Sequence, residues 1–130
     1  AAMGAEVILH PSMTNTIDRD VELAIARANA ASNQCYFFDI CVAGRLGFGQ
    51  SIVCGPGGEI IYQAGRGREI FPIEVDLDLV RRVRRRGWHG IGQVLKSFRD
   101  RAVDFPVYGD RHLPFDALSA LGPLRLPERE

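Results

Sequence analysis

The stretch "SNQCYFFDICVAG", from Ser32 to Gly44, decides the fold. Its middle, "QCYFFDICV", is rich in aromatic and β-branched residues, the composition of a strand with a buried face. It also holds two of the chain's three cysteines, Cys35 and Cys41. Upstream lies "MTNTIDRDVELAIARANAASN", in which Ile17, Val21, Ala24, Ile25, Ala28 and Ala31 recur at helical spacing and predict one apolar face. Asn15 or Thr16 is placed to cap that helix. Asp18 and Asp20 then fall in its first turn, where the helix dipole favours negative charge. Earlier still, "EVILHPS" (Glu6 to Ser12) is a short apolar run ended by Pro11 and reads as a buried strand.

Downstream, "AGRLGFGQ" is a glycine-rich loop. "SIVCGPGGEIIYQ" has the pattern of a hairpin, two apolar runs around "GPGG". "EIFPIEVD" predicts a further strand, with Pro72 marking an edge or a bulge. "LDLVRRVRRR" predicts a short helix closed by Gly87. From Gly87 to Glu130 the periodicity fades and four of the seven prolines occur, so this part reads as an extended C-terminal arm. The division is residues 1–86 as an α/β segment and 87–130 as the arm. The order strand, helix, strand, hairpin, strand, helix predicts a mixed α/β sheet with helices on one face. The opposite face would remain apolar and would need a cover.

The chain has 130 residues, 46% of them hydrophobic and 25% charged, which suits one globular domain. Lys plus Arg equals Asp plus Glu, at 16 each, so bulk charge points neither to nucleic acid nor to an anionic membrane. No apolar run reaches the roughly 18 residues of a membrane span, and no signal peptide is evident. Cys35, Cys41 and Cys54 form no CxxC pair, which disfavours a disulfide framework or structural zinc and fits a reducing cytoplasm. Only "AAMGA" precedes the first strand, which predicts that residue 1 is not a natural start.

A nucleophilic cysteine needs a cation, a helix N-terminus or a histidine base to lower its pKa. All three thiols here lie in apolar strand patterns, where burial acts in the opposite direction, so they read as core residues. His10, His89 and His112 have no metal-ligand spacing, and no metal or cofactor is expected. His10 is the most site-like, because strand ends in α/β sheets line pockets. "GRLGFG" lacks the ending of a phosphate loop. "RRVRRR", five arginines in six positions, reads as a solvated helix end.

Taken together, "GAEVILHPS", the helix, "NQCYFF", "G.GQSIVCGPGGEII" and "IEVDLDLVRRVRRR" resemble the second half of carbon–nitrogen hydrolases, the nitrilase superfamily. The likeness covers roughly residues 4 to 86, and "LKSFRDRAVDFPVY" is similar to the C-terminal arm of amidase-like members. Asn33, Gln34, Gly44, Ser51, Pro56 and Gly58 match the pattern. Asn29 and Ser32 stand where the family carries Arg and Glu, and Cys41 where it often carries Asn, which suggests a divergent, amidase-like branch.

The resemblance implies half of a four-layer α-β-β-α sandwich. It implies a Cys–Glu–Lys triad lying in the family's first half, upstream of this stretch, and therefore no catalytic residue within this chain. It implies that His10, Ser12, Met13 and Asn15, after the first strand, form a pocket wall for a small-molecule amide, carbamoyl or nitrile substrate. The expected partners are an N-terminal segment carrying the triad and further copies of the chain, with Trp88, Phe98, Phe105 and Tyr108 at the contact. No turnover is expected from the chain alone. The other reading is a non-catalytic truncated relative that serves as a dimerisation or partner-binding module.

Overall fold

The computed structural model describes residues 1–88 and 92–101. A four-stranded sheet has the order β1-β2-β5-β6, formed by β1 (Val7–Ser12), β2 (Tyr36–Cys41), β5 (Ile52–Cys54) and β6 (Ile60–Gln63). β1 and β2 are parallel, joined through helix α1 (Arg19–Asn33), and the other neighbours are antiparallel. The mixed α/β sheet expected from the element order is therefore present. Between β2 and β5 the glycine-rich loop folds into a small hairpin of β3 (Ala43–Gly44) and β4 (Gly47–Phe48). Helices α2 (Leu77–Arg86) and α3 (Val94–Arg99) follow.

Strand alternation explains the core. Ile8, Phe37, Ile52 and Cys54 share one face and pack with Ala26, Ala30 and Leu23 of α1. Ala26 and Ala30 are 1% and 0% exposed, and their small side chains let the helix backbone come close to the sheet. Burying a side chain the size of Ile52 contributes about 1.5–3 kcal/mol. On the opposite face Leu9 is 70% and Ile40 40% exposed, and Pro11 is exposed between them in register.

Three expectations need correction. The helix presents its other side to the sheet. Ile17, Val21, Ala24, Ile25 and Ala28 face outward, while Arg19, Ala26 and Ala30 are buried. Periodicity locates a stripe but does not say which stripe packs. Asn15 does not cap the helix, and its N-cap is Asp18, which makes no side-chain capping bond. The Thr16 hydroxyl instead donates to the Asp18 carboxylate at 2.6 Å. Lastly, "EIFPIEVD" forms no strand. Ile70 is 99% exposed, and Pro72 offers no N–H to a ladder.

Several residues that carried the resemblance hold the fold together. Gln34 closes α1 in a left-handed conformation (φ 48°), and its fully buried amide donates to Val83 O and Gly92 O. Ser51 Oγ accepts from Cys41 N at 3.0 Å and donates to Cys41 O at 3.3 Å, adding a clasp to the β2–β5 ladder. Gly58 has φ +83°, and a Cβ there would come within 3.0 Å of the Ala31 side chain.

Asp76 caps α2 by accepting from Asp78 N, and Gly87 closes it by donating to Val83 O. Arg81 pairs with Glu6, Arg82 with Asp76, and Arg84 donates to Gln34 O, so the arginine run is partly engaged rather than simply solvated. Beyond Gly87, Trp88 is half-buried and donates to Ala31 O at 3.0 Å. Phe98 is 63% exposed. Phe105, Tyr108, His89, His112 and most of the expected arm lie outside the described residues.

Candidate functional site

The parallel strands β1 and β2 end side by side, with Ser12 in register with Cys41. In open α/β sheets such carboxyl ends are where ligands bind. Two loops leave from here, 13–18 to α1 and 42–51 to β5. Asp39, one turn of the pleat before the end of β2, is 2% exposed and carries the only charge in "YFFDIC". A buried carboxylate needs donors. It receives them from Arg19 Nη1 at 2.8 Å, Ser12 Oγ at 3.1 Å and the His10 ring at Nδ1, 3.3 Å.

Arg19 is also 2% exposed and reaches further. Its Nη1 donates to Glu22 at 2.9 Å, its Nε to Gly49 O at 3.1 Å and its Nη2 to Gln50 O at 2.9 Å. Burial alone would pull its pKa down, but the hydrogen bonds to Glu22 and Asp39 outweigh that and hold it above its ordinary value. Glu22 in turn accepts from the Thr14 hydroxyl at 2.6 Å. That bond, opposed by burial and aided by Arg19, holds the Glu22 carboxyl below the usual carboxylate range.

Of the four residues expected to form a pocket wall, His10 and Ser12 are brought together on Asp39. His10 keeps 53% of its side chain exposed. Met13, 64% exposed, and Asn15, also exposed, lie in the following loop and do not join the network. Sequence reasoning passed over Arg19 and Asp39. The signal was available: a lone Asp inside an apolar strand demands a partner, and a basic residue near a helix start among acidic ones is a candidate.

All three cysteines are free and buried. Burial pushes the Cys35 thiol up and the Cys54 thiol up to about 11, the reverse of nucleophile activation. The Cys41 thiol donates to Thr14 O. A cavity of about 170 Å³ opens at this end of the sheet beside Ile40, Cys41, Ser51, Arg68 and Phe71. A larger one, about 520 Å³, is lined by Arg84, Arg85, Lys96 and Phe98 and shares none of these residues. Among the described residues no cluster of His, Cys, Asp and Glu could hold a metal ion, and no helix is long and apolar enough to cross a membrane.

Comparison with known proteins gives this geometry a family. The chain is 34% identical over 86 residues to the omega-amidase NIT3 of Saccharomyces cerevisiae, an alignment that takes in 62% of this chain and 30% of that enzyme. The crystal structure of the yeast protein, a member of branch 10 of the nitrilase superfamily, superposes with a TM-score of 0.59 at 32% identity, over 64% of this chain and 33% of that one. A carbon-nitrogen hydrolase from Helicobacter pylori shares the fold, with a TM-score of 0.64 at 24% identity over 86% of this chain and 44% of that one. The chain thus spans well under half the length of the relatives it matches. The carbon-nitrogen hydrolase family model matches residues 1–85, the stretch that contains the whole sheet, α1 and the Arg19–Asp39 network. The chain belongs to the carbon-nitrogen hydrolase family.

Proposed function

We propose that this chain is the C-terminal part of a carbon-nitrogen hydrolase that cleaves a non-peptide amide, carbamoyl or nitrile bond. In this reading the Cys–Glu–Lys triad is carried by the enzyme's N-terminal part. The sheet described above is one half of the α-β-β-α sandwich. The observation that carries the reading is the bare sheet face of Leu9, Pro11 and Ile40, apolar and open on the side away from α1. A second sheet packed there would bury it. The alignment to about a third of the yeast enzyme supports the same division, and the three buried thiols support a nucleophile supplied from elsewhere.

The chain's contribution is a pocket wall at the carboxyl ends of β1 and β2, formed by His10, Ser12, Met13 and Asn15. The reaction is acyl transfer: a thiolate attacks the substrate carbon, a Lys stabilises the charge that develops, and water releases the acyl group. The enzyme works as a homo-oligomer in the cytoplasm. The outward apolar stripe of Ile17, Val21 and Ile25 supports assembly, and the unpaired thiols support a reducing compartment.

The test is amide, carbamoyl and nitrile hydrolysis by this chain alone, then by the polypeptide that joins it to a segment bearing Cys, Glu and Lys. Turnover is expected only in the second. Turnover by the chain alone that is lost on mutating His10 would overturn the reading. No turnover in either arm would favour a non-catalytic, partner-binding module.

A further inference from the structure

We propose that Arg19 is the positioning residue of this site, fixing through one planar guanidinium the loops that form its rim. The inference rests on the reading above that the rim faces substrate. The loop-fixing role stands on geometry alone. From the start of α1, Arg19 reaches Asp39 on β2, Gly49 and Gln50 in the loop to β5, and Glu22, which holds Thr14 of the loop after β1. Asp39 holds the ends of β1 through His10 and Ser12. Each rim segment is therefore bonded to Arg19 or is one residue removed from it.

The loop before β5 needs such support. Gly49 and Gln50 both take left-handed backbone, at φ 64° and 53°. Gln50 carries a Cβ and holds that conformation only where its surroundings over-determine it. A Cβ at Gly49 would lie 3.0 Å from the carbonyl oxygens of Gly65 and Arg66. Backbone bonds from Phe48 N to Thr14 O, Gly49 N to Val42 O and Gln50 N to Gly65 O then lace the loops together. Lysine could keep the charge pair with Asp39, but a single ammonium lacks the fork that serves a carboxylate and two carbonyls at once.

The experiment uses the full-length enzyme with two variants, Arg19→Lys and the double Arg19→Met/Asp39→Leu. The double variant removes both charges together, so the sheet is not left with an unpaired ion. Hydrogen exchange at the Phe48, Gly49 and Gln50 amides is expected to speed by about tenfold or more in both variants, with β1 and β2 amides unchanged. The kcat/KM for the amide substrate is expected to fall about 10²-fold, chiefly through KM, because a displaced wall spoils substrate placement. Wild-type exchange and wild-type KM in Arg19→Lys would overturn the proposal, since the ion pair alone would then suffice. Loss of protection across the entire sheet would overturn it as well, by reducing Arg19 to a general stabiliser. An unmodified enzyme that hydrolyses no amide, carbamoyl compound or nitrile would defeat the functional reading. The exchange rates at Phe48 to Gln50 would then decide the loop-fixing role by themselves.

Discussion

Arg19 and Asp39 meet at 2.8 Å with both side chains almost wholly removed from solvent, 2% and 3% exposed. Each ion is acceptable in the interior only because the other is there. Truncating one partner strands the other, at a cost of about 3–5 kcal/mol. Asp39→Ala and Arg19→Ala should each lower the denaturant midpoint accordingly. Paired replacement by apolar residues should cost far less. Equal losses from the single and double variants, measured by urea unfolding, would contradict this account.

The sidedness of α1 makes a second prediction. Ala26 and Ala30 lie against the sheet, so Ala30→Leu should overpack the interface and destabilise by about 1–3 kcal/mol. Ile17→Ser and Val21→Ser lie on the outward stripe and should change the stability of the isolated chain by within about 0.5 kcal/mol. Thermal unfolding of the three variants in dilute solution would reverse this ranking if the helix were turned the other way.

The thiols should be inert near neutrality. With Cys54 pushed up to about 11 from an ordinary 9.0, almost none of it is thiolate at pH 7. The native state holds its proton more tightly than the unfolded chain does. The stability this contributes is present in full below pH 9 and is lost as pH rises towards 11. Native labelling by a thiol reagent should be slow, and Cys54→Ser should flatten the alkaline side of the stability profile. Rapid native labelling of Cys54 would refute this.

Glu22 acts at the acid end. Its carboxyl pKa is lowered in the folded chain, so it contributes stability above its ordinary value of 4.5. That contribution is lost as pH falls through the lower folded value. The start of α1 and the loop holding Thr14 should loosen first in acid. Glu22→Gln should make that loosening independent of pH, as read by amide exchange or proteolysis at pH 3 to 5.

Local pattern made some elements readable and hid others. The β1 and β2 runs, the "GPGG" hairpin and the capped α2 are local features, each set by neighbours in the chain, and each appears where composition put it. The packing face of α1 was misread because the bulky residues Ile17, Val21 and Ile25 form the more conspicuous stripe, while close approach to the sheet selects the small one. "EIFPIEVD" alternates like a strand but has no neighbour to pair with beyond β6. The Arg19 network was invisible for a different reason. Its partners stand 20 to 31 residues away, and only the β1–α1–β2 crossover brings them together.

Gln34 carries a consequence for the chain's chemical ageing. Its Nε2 serves two carbonyl oxygens, Val83 O and Gly92 O, while its buried Oε1 has no partner among the described residues. The position thus requires an amide, and the isosteric acid fails there. Deamidation would place a carboxylate oxygen against two carbonyl oxygens, with no donor left to hold α2 and the segment around Gly92 to the end of α1. A chain that acquires this one-dalton change before folding should bind its own later residues more weakly. Mass-resolved limited proteolysis of Gln34→Glu beside the unmodified chain would reveal it as earlier cutting after Arg86, and identical cutting would dismiss it.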